Sequence, residues 1–116
     1  MFSIKKTKDF KEVYEAKKSI ASKNLIMYVL KKENSVMERN RLGISVSHKV
    51  GNSVVRHFLI RRIREIFRKN ENLIENYYNI VIVLRKGADK AEFKDLNEEF
   101  ITLCKKQKIL REQKLS

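Results

Sequence analysis

Between Lys49 and Lys69 the chain carries seven Lys or Arg (Lys49, Arg56, Arg61, Arg62, Arg64, Arg68, Lys69) against a single acid, Glu65. Guanidinium groups at that density do one kind of chemistry well: they neutralise phosphate oxygens and fork onto them. The same segment is a predicted helix. At about 100° per residue, Val55, Leu59, Ile63 and Ile66 share a narrow sector, while His57, Arg61, Arg64 and Arg68 lie almost opposite. One side is expected to pack and the other, read as free of carboxylates, to meet a polyanion. A charged helix face is usually only solvated, but near-absence of acids from this one favours nucleic acid. Gly51 is expected to permit a tight turn into the helix, and Asn52 or Ser53 to cap it, where free backbone N–H groups also suit a phosphate.

No comparable set of catalytic residues accompanies this cation cluster. The lone cysteine, Cys104, excludes an internal disulfide and lies at helical spacing from Phe100, as a small core residue would. His48 and His57 have no Cys or further His around which a metal site could form. Asp9 with Glu12, and Glu98 with Glu99, read as surface charge. No Gly-rich phosphate loop, His-Glu-x-x-His motif or nucleophile elbow is present. The expectation is therefore of no catalytic and no metal-binding residue, and of a function carried by a surface.

The charge balance points the same way. With 27 Lys+Arg against 14 Asp+Glu in 116 residues, the net charge of +13 calls for screening by salt or by an acidic partner. An anionic membrane is the competing partner, but the longest apolar run, Leu25 to Leu30, falls far short of the roughly 20 residues a spanning helix needs. Met1-Phe2-Ser3-Ile4 runs directly into Lys5 and Lys6 rather than into an apolar signal segment, so a cytoplasmic protein that leaves the membrane alone is expected. The length suits one domain, 1–116.

Around the basic helix the pattern predicts an α/β (α+β) two-layer sandwich, a small mixed sheet packed against helices in the order α-β-β-α-β-α with room for an extra short strand. Thr7 is expected to cap a first helix over roughly Lys8 to Lys17, with Phe10, Val13 and Tyr14 as one stripe. Leu25 to Leu30 and Arg41 to Ser47 read as strands, joined by the polar stretch Lys31 to Asn40 as a hairpin loop. Ile80-Val81-Ile82-Val83-Leu84, apolar on every residue, reads as a central strand buried on both faces. Asp89 and Glu92 match a capping box for a last helix carrying Phe93, Leu96, Phe100, Leu103 and Cys104. Beyond it, Lys105 to Ser116 is polar enough to fray.

From Arg41-Leu42-Gly43-Ile44-Ser45-Val46-Ser47-His48-Lys49-Val50-Gly51-Asn52-Ser53-Val54-Val55-Arg56 through Arg61-Arg62-Ile63-Arg64-Glu65-Ile66-Phe67, the chain resembles the protein subunit of bacterial ribonuclease P. Weaker similarity extends to Asp9-Phe10-Lys11-Glu12-Val13-Tyr14 and to Ile80-Val81-Ile82-Val83-Leu84-Arg85. The resemblance implies an accessory protein that binds a large catalytic RNA and helps it remove the 5′ leader from precursor tRNA. The hydrolysis would be performed by the RNA with magnesium, bound mainly by that RNA and not by the protein alone. It also implies a left-handed crossover between parallel strands.

Residue by residue, the resemblance implies that Lys49, Asn52, Arg56, Arg61 and Arg64 contact the catalytic RNA. Arg62 and Arg68 are added on charge alone, and His57, which flanks the basic segment, as a hydrogen-bonding partner of the RNA. The family's Arg-Asn-Arg triplet reads Arg56-His57-Phe58 here, Ile60 stands where a basic residue is usual, and Lys17 where glycine is frequent. Phe58 and Ile60 are not assigned to RNA; Phe58 is expected to lean into the edge of the core. Phe10, Tyr14, Ile26 and Tyr28 match the groove that takes the single-stranded leader, where unpaired bases stack on aromatic faces. Without the resemblance, Phe10 and Tyr14 would read as core. Two other readings stand beside it: a non-enzymatic ribosomal or other structured-RNA binder, which would share the charge and the sandwich, and a DNA-binding protein with its basic helix in a major groove.

Overall fold

The computed structural model describes residues 2–32 and 39–112. In chain order they form β1 (Phe2–Ser3), α1 (Thr7–Glu15), β2 (Ser19–Ala21), β3 (Leu25–Lys31), β4 (Arg41–Ser45), α2 (Ser53–Asn70), β5 (Tyr78–Leu84) and α3 (Phe93–Lys106). Short 3-10 turns at Glu71–Leu73 and Ala88–Lys90 flank β5. The expected helices and strands are all present, with β1 and β2 as additional short strands.

The sheet has the order β1-β4-β5-β3-β2. Its centre is β5, as the all-apolar run requires: Ile80, Ile82 and Leu84 face the main core while Val81 is buried on the other side. β5 runs antiparallel to β3 and parallel to β4. The hairpin expected between β3 and β4 is therefore wrong, because β5 lies between them. A pairing of neighbours in sequence is the cheapest guess, but here the partner of both strands arrives after α2. Residues 33–38 of that connection lie outside the described residues. β4, α2 and β5 form the parallel unit to which the expected crossover refers.

α2 and α3 cover one face of the sheet. Leu59, Ile63, Ile66 and Phe67 of α2 meet Leu96, Phe100, Leu103 and Cys104 of α3 over Leu25, Met27, Val29, Ile80 and Ile82. Phe67 and Phe100 make an edge-to-face contact at 6.4 Å between ring centroids. Each such fully buried side chain contributes about 1.5–3 kcal/mol by leaving water. At the end of α2, the buried Asn70 amide donates to the Ile66 carbonyl and to Asn97 Oδ1, both at 2.8 Å, which ties the two helices together. α1 covers part of the opposite face, where Val13 packs with Ile4 and Val81.

Local signals at three chain positions were misleading. Thr7 is the first residue of α1 and not its cap; Lys6 precedes the helix and its carbonyl accepts the Asp9 and Phe10 N–H groups. The pattern Asp89-x-x-Glu92 is no capping box, since Asp89 belongs to the 3-10 turn and Glu92 precedes α3 without a side-chain cap. The stretch after α3 does not fray up to Arg111: Ile109 is fully buried, Leu110 bridges to Ile74, and the Arg111 N–H donates to the Leu73 carbonyl at 2.8 Å. Two apolar residues, Ile109 and Leu110, outweigh their polar neighbours there. Residues 113–116 lie outside the described residues.

Candidate nucleic-acid interface

Asn52 stands immediately before α2, and its Oδ1 accepts the Val55 N–H at 3.0 Å. Asn52 is thus the cap, and only its amide nitrogen remains to donate to a ligand. Gly51 is not in the left-handed region. It is needed because a Cβ there would stand 2.6 Å from Val55 Cγ1, so the turn of chain presses against the first turn of the helix.

Along α2 the two faces separate as the periodicity requires. Leu59, Ile63, Ile66 and Phe67 are buried and Val55 is packed against them, whereas His57, Arg61, Arg64 and Arg68 are exposed. Lys49 and Asn52 are exposed just ahead of the helix, and Arg56 is half-buried. The Arg56 Nε is covered and has no hydrogen-bond partner among the described residues. Arg62 is also half-buried, with Nη1 3.4 Å from the Ala91 carbonyl oxygen and its guanidinium 4.6 Å from the centroid of the Phe58 ring. Among the described residues none of Arg56, Arg61, Arg62, Arg64 and Arg68 forms an ion pair.

The acids of α1 behave differently. Asp9 pairs with Arg41 at 3.0 Å, Glu12 with Lys32, and Glu15 with Lys11 at 3.8 Å. Negative charge is neutralised on α1 while positive charge on α2 is left uncompensated, a distribution that favours an anionic partner. The face is not free of carboxylate, however: exposed Glu65 lines the same depression as Arg61, Arg64 and Arg68. Glu65 sits on the shoulder of the basic face, one residue from Arg64, and so falls outside the narrow sector that the helical period assigns to the arginines.

Phe58 does not lean into the core. It is 48% exposed. Leu59 and Ile63 already fill the core side of this turn, and the ring lies instead along the helix surface against Arg62, one turn on. Ile60 is half-buried and borders a small pocket with Phe10, Ile44 and Arg64, where α2 approaches the β1 edge of the sheet.

Phe10, Tyr14 and Tyr28 come together on the α1 face of the sheet, and Ile26 lies on the same face. All four are half-buried. Phe10 and Tyr14 rings lie 6.4 Å apart, and Tyr14 meets Tyr28 edge-on at 4.9 Å. Phe10 rests over Gly43, Tyr28 pairs with Val81, and Phe10, Tyr14 and Tyr28 pack against Val13 and Val81. Ile26 belongs to the next row of the sheet, Ala21-Ile26-Val83-Ser45, in which no residue is fully buried. Val83 and Ser45 therefore join the strip beside α1. Their membership depends on the pairing of β5 with β3 and β4, which no local pattern reveals. β4 ends at Ser45, so the chain leaves this row directly into the segment that carries His48, Lys49 and Asn52.

Cys104 is fully buried, and burial pushes its thiol up to about 12, so it stays protonated and inert at neutral pH. Among the described residues no three His, Cys, Asp or Glu side chains converge on a point that could hold a metal ion. No helix among them is long and apolar enough to cross a membrane.

The family model for ribonuclease P matches residues 2–108. The ribonuclease P protein component of Lachnoclostridium phytofermentans is 45% identical over 108 residues, covering 93% of this chain and 90% of its own. That of Alkaliphilus metalliredigens is 37% identical over 107 residues, covering 92% and 94%. Among solved structures, the ribonuclease P protein of Staphylococcus aureus superposes with a TM-score of 0.85 at 29% identity, over 96% of this chain and 99% of the other. The Thermotoga maritima protein gives 0.80 at 28% identity, over 91% and 97%. Since the agreement runs from the first strand past the end of α3, the chain belongs to the ribonuclease P protein family, a family of tRNA-processing proteins.

Proposed function

We propose that this chain binds the catalytic RNA of ribonuclease P and the 5′ leader of precursor tRNA, and so assists magnesium-dependent, RNA-catalysed removal of the leader in the cytoplasm. The observation that carries the reading is the row of exposed arginines on α2 with no ion pairs among the described residues, set against α1, whose acids are all paired. Lys49, Asn52, Arg56, His57, Arg61, Arg62, Arg64 and Arg68 are the RNA contacts. Phe10, Tyr14, Ile26 and Tyr28 take the leader, whose bases would stack on the aromatic edge left open by α1. The protein supplies charge screening and placement. Magnesium is assigned mainly to the RNA, as membership of the ribonuclease P protein family implies.

Reconstitution tests this directly. Rigorously RNA-free protein with magnesium is expected to leave precursor tRNA uncut. Addition of the catalytic RNA is expected to give cleavage at the mature 5′ end, with the protein lowering the salt and magnesium needed. Cleavage by the protein alone would overturn the accessory role. Protein that binds structured RNA but does not stimulate the catalytic RNA would favour a ribosomal or other structured-RNA binder, and preference for duplex DNA would favour a major-groove reader.

A further inference from the structure

We infer that Val54 and Phe58 form a stacking seat on α2 for one unpaired nucleobase of the RNA partner. The inference rests on the proposal that α2 faces RNA. Val54 is 75% exposed and Phe58 48%, and with Leu73 they are the exposed large apolar residues of the described chain. Two of the three therefore stand one turn apart on the most basic element of the protein. They line a shallow apolar depression together with Ser53, His57 and Arg61.

Their packing does not explain them, because the core side of these turns is filled by Val55, Leu59 and Ile63. The Phe58 ring is nevertheless held in place. Arg62 covers it at 4.6 Å from the centroid, and Arg62 itself reaches the Ala91 carbonyl on the turn before α3. A ring with one side against a fixed guanidinium and about half its surface open offers a flat, rigid platform, and a nucleobase is a flat group that unstacks from RNA single strands and bulges onto such surfaces. Charge selects the same occupant. The surrounding Arg61, Arg62 and His57 favour an anionic polymer, whereas a second copy of this chain would bring another +13 against the first.

The chain has no tryptophan, so Phe58→Trp places a single reporter at the seat. Affinity for the catalytic RNA of ribonuclease P would be measured across a salt series for the wild type, Phe58→Leu, Phe58→Trp and the double variant Arg61→Ala/Arg64→Ala. Phe58→Leu is expected to bind about 5- to 100-fold more weakly with an unchanged log–log salt slope, because stacking releases no counterions. Phe58→Trp should bind at least as well as the wild type, and its emission should be quenched at saturating RNA. The seat is refuted if Phe58→Leu binds like the wild type while the double arginine variant weakens and flattens; α2 then remains the RNA face. It is equally refuted if Phe58→Leu flattens the slope, since the ring would then serve only to hold Arg62, or if tryptophan emission ignores RNA. Emission that changes with protein concentration alone would mean that a second copy covers the patch. A double arginine variant with an unchanged slope would remove the RNA-facing role of α2, and the seat with it.

Discussion

The ring of Phe10 on α1 lies so close over Gly43 on β4 that a Cβ on the glycine would stand 2.8 Å from both Cε1 and Cζ of the ring, and 3.2 Å from Ile4 Cβ. The absence of a side chain on the strand is what allows the helix to bring an aromatic edge down onto the sheet. Gly43→Ala is expected to cost about 1–3 kcal/mol by overpacking. In a Phe10→Ala background the same change should cost clearly less, and a double-mutant cycle of melting temperatures measures the difference. Additive losses would mean that the ring is not the obstacle.

Tyr28 pairs with Val81 in the sheet and meets Tyr14 edge-on, half-buried between the core and the proposed leader-binding strip. Tyr28→Ala is expected to weaken precursor tRNA binding in the reconstituted complex by about 1–3 kcal/mol, the range for one stacked base. Mature tRNA, which lacks the leader, should be affected little. Equal losses for both, in a variant folded by circular dichroism, would return Tyr28 to the core alone.

How far the sequence reveals this arrangement depends on whether the cause is local. The central burial of β5 is visible because a strand covered on both faces must be apolar throughout, and the two faces of α2 because a helix has a fixed period. The pairing of β4 with β5 is not visible, since it closes across the whole of α2; with it go Ser45 and Val83 as neighbours of Ile26 in the proposed leader-binding strip. β1 and β2 are too short to carry a period. Phe58 is misread for a different reason: hydrophobicity says that a ring seeks cover but does not say that a guanidinium one turn away can provide it.

Replacing Arg61, Arg64 and Arg68 together with Ala removes three exposed cations that make no ion pairs among the described residues, so little stability should be lost. RNA affinity should fall, and the salt dependence should flatten by about 0.7–0.9 units of log–log slope for each phosphate that is no longer neutralised. An unchanged slope would place the RNA elsewhere on the surface.

Lys17 follows α1 with φ +56°, in the left-handed region that costs a side-chain-bearing residue roughly 1–2 kcal/mol. Its N–H donates to the Tyr14 carbonyl and closes the helix there. Glycine suits that conformation, although its greater freedom in the unfolded chain returns about 0.4–1 kcal/mol of the gain. Lys17→Gly should therefore raise stability by roughly 0.5–1 kcal/mol, a rise of about 3 °C in melting temperature. A lower melting temperature would show that Lys17 makes interactions worth more than its backbone strain.

The last expectation concerns Glu99, which fastens α3 to the turn between β2 and β3. Its Oε1 accepts from Ser22 Oγ at 2.5 Å and from the Asn24 N–H at 2.8 Å, and its Oε2 accepts from Asn24 Nδ2 at 2.7 Å. Burial alone would raise the carboxyl, but the hydrogen bonds from Ser22 and Asn24, with the Lys23 charge, outweigh it and hold the group below its ordinary value of 4.5. A depressed carboxylate contributes stability that is complete above the unfolded value and disappears as pH falls through the folded one. Glu99→Gln replaces one acceptor with a donor facing the Asn24 amide, and partial exposure limits the expected cost at neutral pH to about 1 kcal/mol. The wild type should thus melt above the variant at neutral pH, and the gap should narrow as pH falls below 4.5 and the carboxylate takes up its proton. A gap that stays constant into acid would show that the clamp depends on shape and not on charge.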